Sequence, residues 1–156
     1  MTGNDHSTFM RRAVELAETA YRTKKGLPIG CVIVRDGAIL GEGHNEIFFR
    51  NNPTSHAEMV AIEDACRKSG ELLLPDCQLY TTLEPCPMCM AALYWTKVRT
   101  VYFSIAGEEG ARFGFNDVFI RNDLAKPAQS RLIKSERVED GEALKALEAW
   151  EAGRFA

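Results

Sequence analysis

Two short strings of metal-ligating residue types limit the folds that are open to this chain. His56-Ala57-Glu58 and, thirty positions later, Cys86-Pro87-Met88-Cys89 each stand where a loop or strand gives way to good helix formers. Two cysteines three apart in the first turn of a helix point in the same direction. If His56 is to join them on one ion, the fold must bring two helix N-termini side by side.

One histidine and two cysteines make a three-ligand set, which is typical of a catalytic zinc because structural zinc sites usually have four protein ligands. No further histidine or cysteine pair is spaced to complete such a site. We therefore predict one Zn²⁺ per chain, with His56, Cys86 and Cys89 as the metal ligands. Zinc lowers the pKa of a bound water from 15.7 towards about 7, so the site offers a nucleophile at neutral pH.

Glu58 is the predicted catalytic acid–base. It follows His56 by two residues, so on a regular helix the two side chains diverge by about 200° and are not expected to bind the same ion. At a helix start Glu58 can instead face the reacting water and carry protons to a ring nitrogen and a leaving amine. Proton transfer by a positioned side chain typically raises the reaction rate ~10²–10⁴-fold. This combination of H-x-E and P-C-x-x-C is the pattern of zinc deaminases that act on bases.

Each string also has a simpler interpretation when it is taken alone. His56-Ala57-Glu58 could be a helix cap on the surface, and Cys86 with Cys89 could be a redox pair. The prolines before and inside the cysteine string, and the absence of a thioredoxin-like order of elements, weigh against redox use. The occurrence of both strings in this order favours the zinc deaminase.

Composition limits the remaining classes of protein. A length of 156 residues suits one domain, so we predict a single domain over 1–156. Five cysteines, an odd number, and a short polar N-terminus without a secretory signal predict a cytoplasmic protein without a disulfide framework. No apolar run reaches the ~20 residues of a membrane span. The formal charge of -3 and the scattered basic residues make nucleic acid an unexpected partner.

Apolar periodicity predicts alternating helices and strands over the first two-thirds of the chain. Helices are expected from a cap at Ser7 or Thr8 to about Arg22, over 57–68, and from Pro87 through Trp95. Strands are expected over 29–34 and 38–41, joined by an Asp36-Gly37 turn, and over 79–82 and 98–103. This order predicts an α/β fold in which a mixed central sheet lies between helical layers.

The C-terminal third is less regular. We predict a glycine-rich loop over 106–116, a short helix over 118–124, an extended segment over 131–138 and a closing helix over 142–154. Leu144, Leu147 and Trp150 recur at helical spacing on the closing helix and are expected to point inward. Trp150 is interpreted either as a core residue or as a lid over a substrate pocket.

The chain resembles the cytidine-deaminase superfamily, and within it the branch of guanine deaminases, fungal-type cytosine deaminases and tRNA adenosine deaminases. The resemblance covers almost the whole chain. It is carried by Pro28-Ile29-Gly30, Asn45, the string 53–58, the string 80–89 and Ala92-Leu93-Tyr94-Trp95. It implies a three-layer α/β/α cytidine-deaminase-like fold and a homodimer, in which the segment from about residue 106 is a candidate for exchange between subunits.

The resemblance also bears on the substrate. Gly114-Phe115-Asn116-Asp117 is similar to the string in which bacterial guanine deaminases present an acid to the substrate, and Asp117 is the matching position. Ile29, where those enzymes tend to have Phe, and Asn116, which replaces the first of two acids, depart from that pattern. The substrate-binding residues implied or predicted are Asn45, Asp117, Ile29, Trp95, Phe48 and Ala57.

The expected reaction is hydrolytic deamination of a free nucleobase, guanine to xanthine in the first place and cytosine to uracil in the second. A tRNA adenosine deaminase is the third alternative, although the chain lacks a basic C-terminal tail. A zinc-binding module without catalysis is the non-enzyme alternative, which the presence of Glu58 disfavours. A helix-capping role for Asp117 and a turn-stabilising role for Asn45 stay open at this point.

Overall fold

The computed structural model of the protein describes residues 3–139 and 141–153. The chain forms two units, Met1–Arg121 and Asn122–Ala156, of which the first contains the sheet. The four strands are β1 (Gly30–Arg35), β2 (Ala38–His44), β3 (Cys77–Leu83) and β4 (Thr100–Ile105), in the order β2-β1-β3-β4. β1 pairs antiparallel with both β2 and β3, whereas β3 and β4 are parallel, so the predicted mixed sheet is confirmed.

The hairpin between β1 and β2 turns at the predicted dipeptide. Asp36 and Gly37 both have positive φ angles, 51° and 77°. Two successive residues with positive φ are what a two-residue hairpin turn needs to match the right-handed twist of its strands. The turn fixes the register in which Arg35 faces Ala38.

One face of the sheet is covered by α1 (Gly3–Arg22). Phe9 and Leu16 on this helix pack with Val32 and Tyr80 of the sheet. The prediction that Ser7 or Thr8 caps the helix is wrong, because α1 begins at Gly3. A hydrogen bond between the Tyr80 hydroxyl and His6 Nδ1, which lie 2.8 Å apart, joins this additional first turn of α1 to the sheet.

The other face is covered by α2 (Ala57–Ser69) and α3 (Pro87–Thr96). Alternation along β1 sends Cys31 and Ile33 to this face, where they pack with Ala61 of α2 and Leu93 of α3. Helices on both faces of the sheet give the expected three-layer α/β/α arrangement. α2 ends at Gly70, whose φ of 74° is the left-handed conformation that favours glycine.

Glycine brings α2 close to the sheet. A Cβ atom on Gly43 of β2 would collide with the backbone of Ala57 and Ala61, and one on Gly41 would collide with Ala61 and Ala65. The missing side chains therefore let the first turns of α2 lie directly against β2. This contact fixes the height at which His56, the residue before α2, stands above the sheet.

The segment after β4 differs in part from the predicted loop. A short helix, α4 (Gly107–Ala111), interrupts it, and the carboxylate of Glu109 accepts a hydrogen bond from the Ala106 N–H at 2.9 Å. This hydrogen bond caps the N-terminus of α4. It stabilises a helix in spite of the glycine content, from which we predicted a loop. The next helix, α5 (Val118–Leu124), has the predicted bounds.

The second unit contains a 3₁₀ turn (Ala128–Ser130) and α6 (Glu142–Gly153). Residues 131–138, predicted to be extended, contain no strand. The prediction that Leu144, Leu147 and Trp150 point inward is wrong, because all three are at least 60% exposed. A unit of about 35 residues is too small to build a core of its own around such a stripe.

Among the residues that the structure describes, no helix combines the length and the apolar composition needed to cross a lipid bilayer.

Candidate active site

Three side chains from two helix starts converge on one point. His56 Nδ1 lies 3.6 Å from Cys86 Sγ and 3.6 Å from Cys89 Sγ, and all three donor atoms are within 4.8 Å of one another. In a tetrahedral zinc site with Zn–N near 2.05 Å and Zn–S near 2.3 Å, nitrogen and sulfur are about 3.6 Å apart. The spacing and the donor types therefore fit a zinc ion.

Local backbone geometry accounts for this convergence. His56 and Cys86 are the N-cap residues of α2 and α3, with extended backbones (ψ of 159° and 167°), and neither side chain caps its own helix. Pro87 suits the next position because it has no N–H to leave unpaired there. Both helix starts present unpaired N–H groups and a partial positive charge, which favour thiolate over thiol.

The ionisation of the two thiols is unequal while no metal binds them. A hydrogen bond from Cys89, followed by one from His56, lowers the pKa of Cys86 to about 4. The hydrogen bond to Cys86 raises the pKa of Cys89, and the hydrogen bond between His56 and Cys86 raises the pKa of His56. One thiolate is thus ready for an incoming cation, and coordination deprotonates the second.

Glu58 stands on the wall of the same cavity. It is only 4% exposed, although it belongs to the first turn of a helix. Burial raises the pKa of its carboxyl group, and its own backbone N–H partly offsets this. A carboxyl group whose pKa lies nearer to neutrality is better suited to give and take protons at physiological pH. The position and the environment of Glu58 agree with the predicted acid–base role.

A cavity opens beside the three metal-ligand candidates. Its wall carries three carboxylates, those of Glu58, Glu84 and Asp117, and among the described residues no lysine or arginine lines it. The remaining surface is largely apolar. The wall is formed by Leu27, Ile29, Asn45, His56, Glu58, Leu83, Glu84, Cys86, Gly107, Gly114, Phe115, Asn116, Asp117 and Ile120.

Three of the six predicted substrate-binding residues line the cavity, and the other three do not. Asn45, Asp117 and Ile29 line the cavity. Ala57 is fully buried under it in the core between α2 and the sheet. Phe48 and Trp95 are 63% and 82% exposed and do not belong to the cavity wall, so their contact with a substrate stays a prediction.

Asn45 combines a structural contact with an available donor. Its Oδ1 accepts hydrogen bonds from the backbone N–H groups of Leu27, at 3.0 Å, and Ile47, at 3.4 Å. Its Nδ2 is buried and has no hydrogen-bond partner among the described residues. The turn-stabilising role is therefore present, and the amide N–H₂ is left to donate to a group inside the cavity.

Asp117 is joined to a residue that the sequence analysis missed. Arg121 Nη2 lies 2.9 Å from Asp117 Oδ2, and Arg121 Nε donates to both carboxylate oxygens at 3.1 and 3.2 Å. Arg121 Nη2 also donates to the Pro85 carbonyl at 3.0 Å. An acid four residues before an arginine on a predicted helix was the available signal. Asn116 accepts from the Val118 N–H at 3.1 Å, which explains its presence at the start of α5.

Comparison with known families agrees with this site. Residues 3–105 match the cytidine and deoxycytidylate deaminase zinc-binding region, which is about two-thirds of the chain and includes all three candidate ligands and Glu58. The chain belongs to this family, and it is a zinc-dependent deaminase. The resemblance found in the sequence motifs is thereby confirmed.

Individual relatives narrow the comparison. The chain is similar to the guanine deaminase of Bacillus subtilis, with 44% identity over 94% of both chains. It is also similar to a tRNA-specific adenosine deaminase of Aquifex aeolicus, with 38% identity over 82% of both chains. The crystal structure of the Bacillus subtilis guanine deaminase superposes with a TM-score of 0.88 over 94% of each chain, which confirms the cytidine-deaminase-like fold.

Proposed function

We propose that this deaminase hydrolyses the free base guanine to xanthine and ammonia. The observation that carries the proposal is the pairing, in one cavity, of a buried unpartnered donor on Asn45 with the carboxylate acceptor of Asp117. The similarity to a guanine deaminase spans nearly the whole of both proteins and includes the segment around Asp117. That similarity supports guanine over the base of a tRNA.

The two polar side chains suit complementary groups of guanine. The Asn45 Nδ2 group donates to a ring or carbonyl acceptor of the base, and the Asp117 carboxylate accepts from ring N–H or exocyclic amine donors. Ile29, Phe115 and Ile120 provide apolar surface around a planar ring. A buried amide left unpaired in the free protein gains its hydrogen bond only when the base is bound, which favours bases with an acceptor at that point.

Glu58 carries the protons of the reaction. One water is consumed. The Glu58 carboxylate takes its first proton and gives it to the ring nitrogen, then takes the remaining proton of the added hydroxyl and gives it to the departing amine, so that ammonia leaves and a carbonyl remains. His56, Cys86 and Cys89 would hold zinc, which when bound supplies a polarised water at neutral pH. Burial of Glu58 keeps bulk water from competing for these protons.

Ammonia release from a panel of substrates tests the proposal. The panel holds guanine, cytosine, adenine, their nucleosides and tRNA, each at equal concentration with the zinc-loaded protein. We expect turnover of guanine and little of the others. Faster release from cytosine would support the second expected reaction, cytosine to uracil, and turnover of nucleosides or tRNA without any free base would overturn the proposed substrate class.

Replacement of Asn45 by aspartate isolates the donor. The variant keeps the oxygen that accepts from Leu27 and Ile47 but places a second oxygen where Nδ2 stands, opposite an acceptor of the base. We expect kcat/KM for guanine to fall about 10- to 100-fold, the loss of one buried hydrogen bond with an added repulsion. Initial rates of xanthine formation measure the effect.

Asn52→Asp is the matched control for this variant. Asn52 lies on the exposed loop before α2, where its Oδ1 accepts from Thr54, and we expect it to leave kcat/KM unchanged. Wild-type kcat/KM in the Asn45→Asp variant would contradict the assigned contact.

We also propose that the protein is a cytoplasmic homodimer in which the segment from about residue 106 is exchanged between subunits. The contacts of Asp117 with the cavity and of Arg121 with Pro85, which the structure shows within one chain, would then form between two chains. The support is the exposed apolar stripe of Leu144, Leu147 and Trp150, for which a second copy would provide cover. Light scattering during gel filtration tests the assembly, since one chain has a mass of 17.4 kDa. A particle of that single mass at micromolar concentration would exclude the dimer.

A further inference from the structure

Arg121 links two parts of the active site that are far apart in sequence. Its guanidinium forms a fork on the carboxylate of Asp117, with contacts of 2.9, 3.1 and 3.2 Å. The same group donates from Nη2 to the carbonyl of Pro85 at 3.0 Å. Pro85 directly precedes Cys86, so this single side chain connects the cavity acid to the loop that presents the candidate metal ligands.

These contacts differ from those of an ordinary surface ion pair. An exposed pair four residues apart on a helix contributes little, because water screens it and both side chains are mobile. Here the side chains of Arg121 and Asp117 are 39% and 18% exposed, and the Asp117 carboxylate receives two donors of a planar fork, which fixes its orientation as well as its position. The bond to Pro85 spans 36 residues and holds the guanidinium itself in place.

The charges around Arg121 are otherwise negative. Besides Asp117, the guanidinium interacts with the nearby Glu84 and Cys86, and the hydrogen bonds to Asp117 are the main reason why the pKa of Arg121 is raised. Since the cavity wall itself has three carboxylates and, among the described residues, no lysine or arginine, Arg121 is placed to offset this charge from behind the wall. Arg121 thereby offsets negative charge next to Asp117.

We propose that Arg121 is a positioning residue, which holds the Asp117 carboxylate in the orientation that binds the base and ties it to the Pro85–Cys86 loop. A carboxylate has about four acceptor positions, so the fork of Arg121 leaves positions free for the N–H groups of a substrate. The inference rests on the proposed function for the contact between Asp117 and a base. Arg121 itself touches no substrate and acts through Asp117.

A double-mutant cycle tests this dependence. The variants are Arg121→Met, Asp117→Asn and the combination of both, each assayed with the free base that the wild-type protein deaminates fastest. We expect Arg121→Met to raise KM about tenfold while kcat changes less than about threefold. Without Arg121 the Asp117 carboxylate has no fixed orientation, and this weakens binding of the base more than it slows the chemical step. The double variant should be no worse than Asp117→Asn alone, because Arg121 has nothing left to orient.

Two further variants separate positioning from general stability. Arg121→Lys keeps the charge but loses the fork, and we expect it to restore only part of the lost KM. Arg67→Met, which removes an exposed arginine paired with Asp64 on α2, should leave KM unchanged. Zinc content and melting temperature should be the same in Arg121→Met and Arg67→Met.

Effects that multiply in the double variant, or a wild-type KM in Arg121→Met, would overturn the positioning role even if guanine is the substrate. Turnover of another free base in place of guanine would overturn the proposed substrate while the cycle, run on that base, still decides the role of Arg121. A wild-type protein that deaminates no free base would overturn both.

Discussion

Replacing Glu58 by glutamine is expected to lower kcat about 10²- to 10⁴-fold while the protein keeps its zinc. The amide has nearly the shape of the carboxyl group but cannot take a proton from water or return one to the leaving amine. Glu58 is buried beside His56 and Cys86 but is not one of the three metal-ligand candidates, so the ligand set is unchanged. The variant therefore separates proton transfer from metal binding.

The measurement combines ammonia release with zinc content per chain. Glu63→Gln is the matched control, since Glu63 belongs to the same helix and its carboxylate pairs with Arg50 outside the cavity. We expect the control to retain wild-type kcat. Undiminished kcat in Glu58→Gln with zinc retained would show that another group moves the protons, and wild-type protein with zinc but without turnover of any base would support a non-catalytic zinc module.

Replacing Cys89 by serine is expected to remove both the metal and the activity. Serine has a similar volume, so the fully buried site stays filled, but its hydroxyl is a poor zinc ligand and leaves only His56 and Cys86 to bind. Loss of an outer partner alone typically weakens metal binding about 10- to 100-fold, and loss of a ligand is expected to exceed this. Atomic absorption after gel filtration against a chelator measures the remaining zinc.

Cys66→Ala provides the control for that experiment. Cys66 is a free, half-buried cysteine of α2 that lies outside the donor cluster, and its removal should leave one zinc per chain. Retention of a full zinc equivalent and of activity in Cys89→Ser would show that the ion is held by other residues.

The predictions that depended on local chemistry agree with the geometry of the structure, and the role of His56, Cys86 and Cys89 as metal ligands stays a prediction. Asp36-Gly37 specified its turn because a two-residue hairpin turn needs positive φ at both positions, and Asp followed by Gly adopts these angles readily. His56, Cys86 and Cys89 were predicted together because their spacing has meaning only for helix starts that meet at one ion, and the structure brings their donor atoms within 4.8 Å. The family and the fold followed from the same strings.

The predictions that depended on distant contacts were less reliable. The apolar period of α6 indicates which face of the helix needs cover, but the period contains no information about what covers it, so Leu144 and Trp150 were wrongly predicted to point inward. The start of α1 was placed too late because residues before Ser7 gain their helical turn through a contact between His6 and Tyr80 on β3. Arg121 was missed because its bond to Pro85 crosses 36 residues.

The acidic wall of the cavity has a consequence for the stage of metabolism at which the protein can act. Glu58, Glu84 and Asp117 lie on this wall and, among the described residues, no lysine or arginine lines it, so a phosphate group would find no cationic side chain there. A compound that has already lost its phosphate suits this cavity better than a nucleotide does, and we expect the protein to act after dephosphorylation.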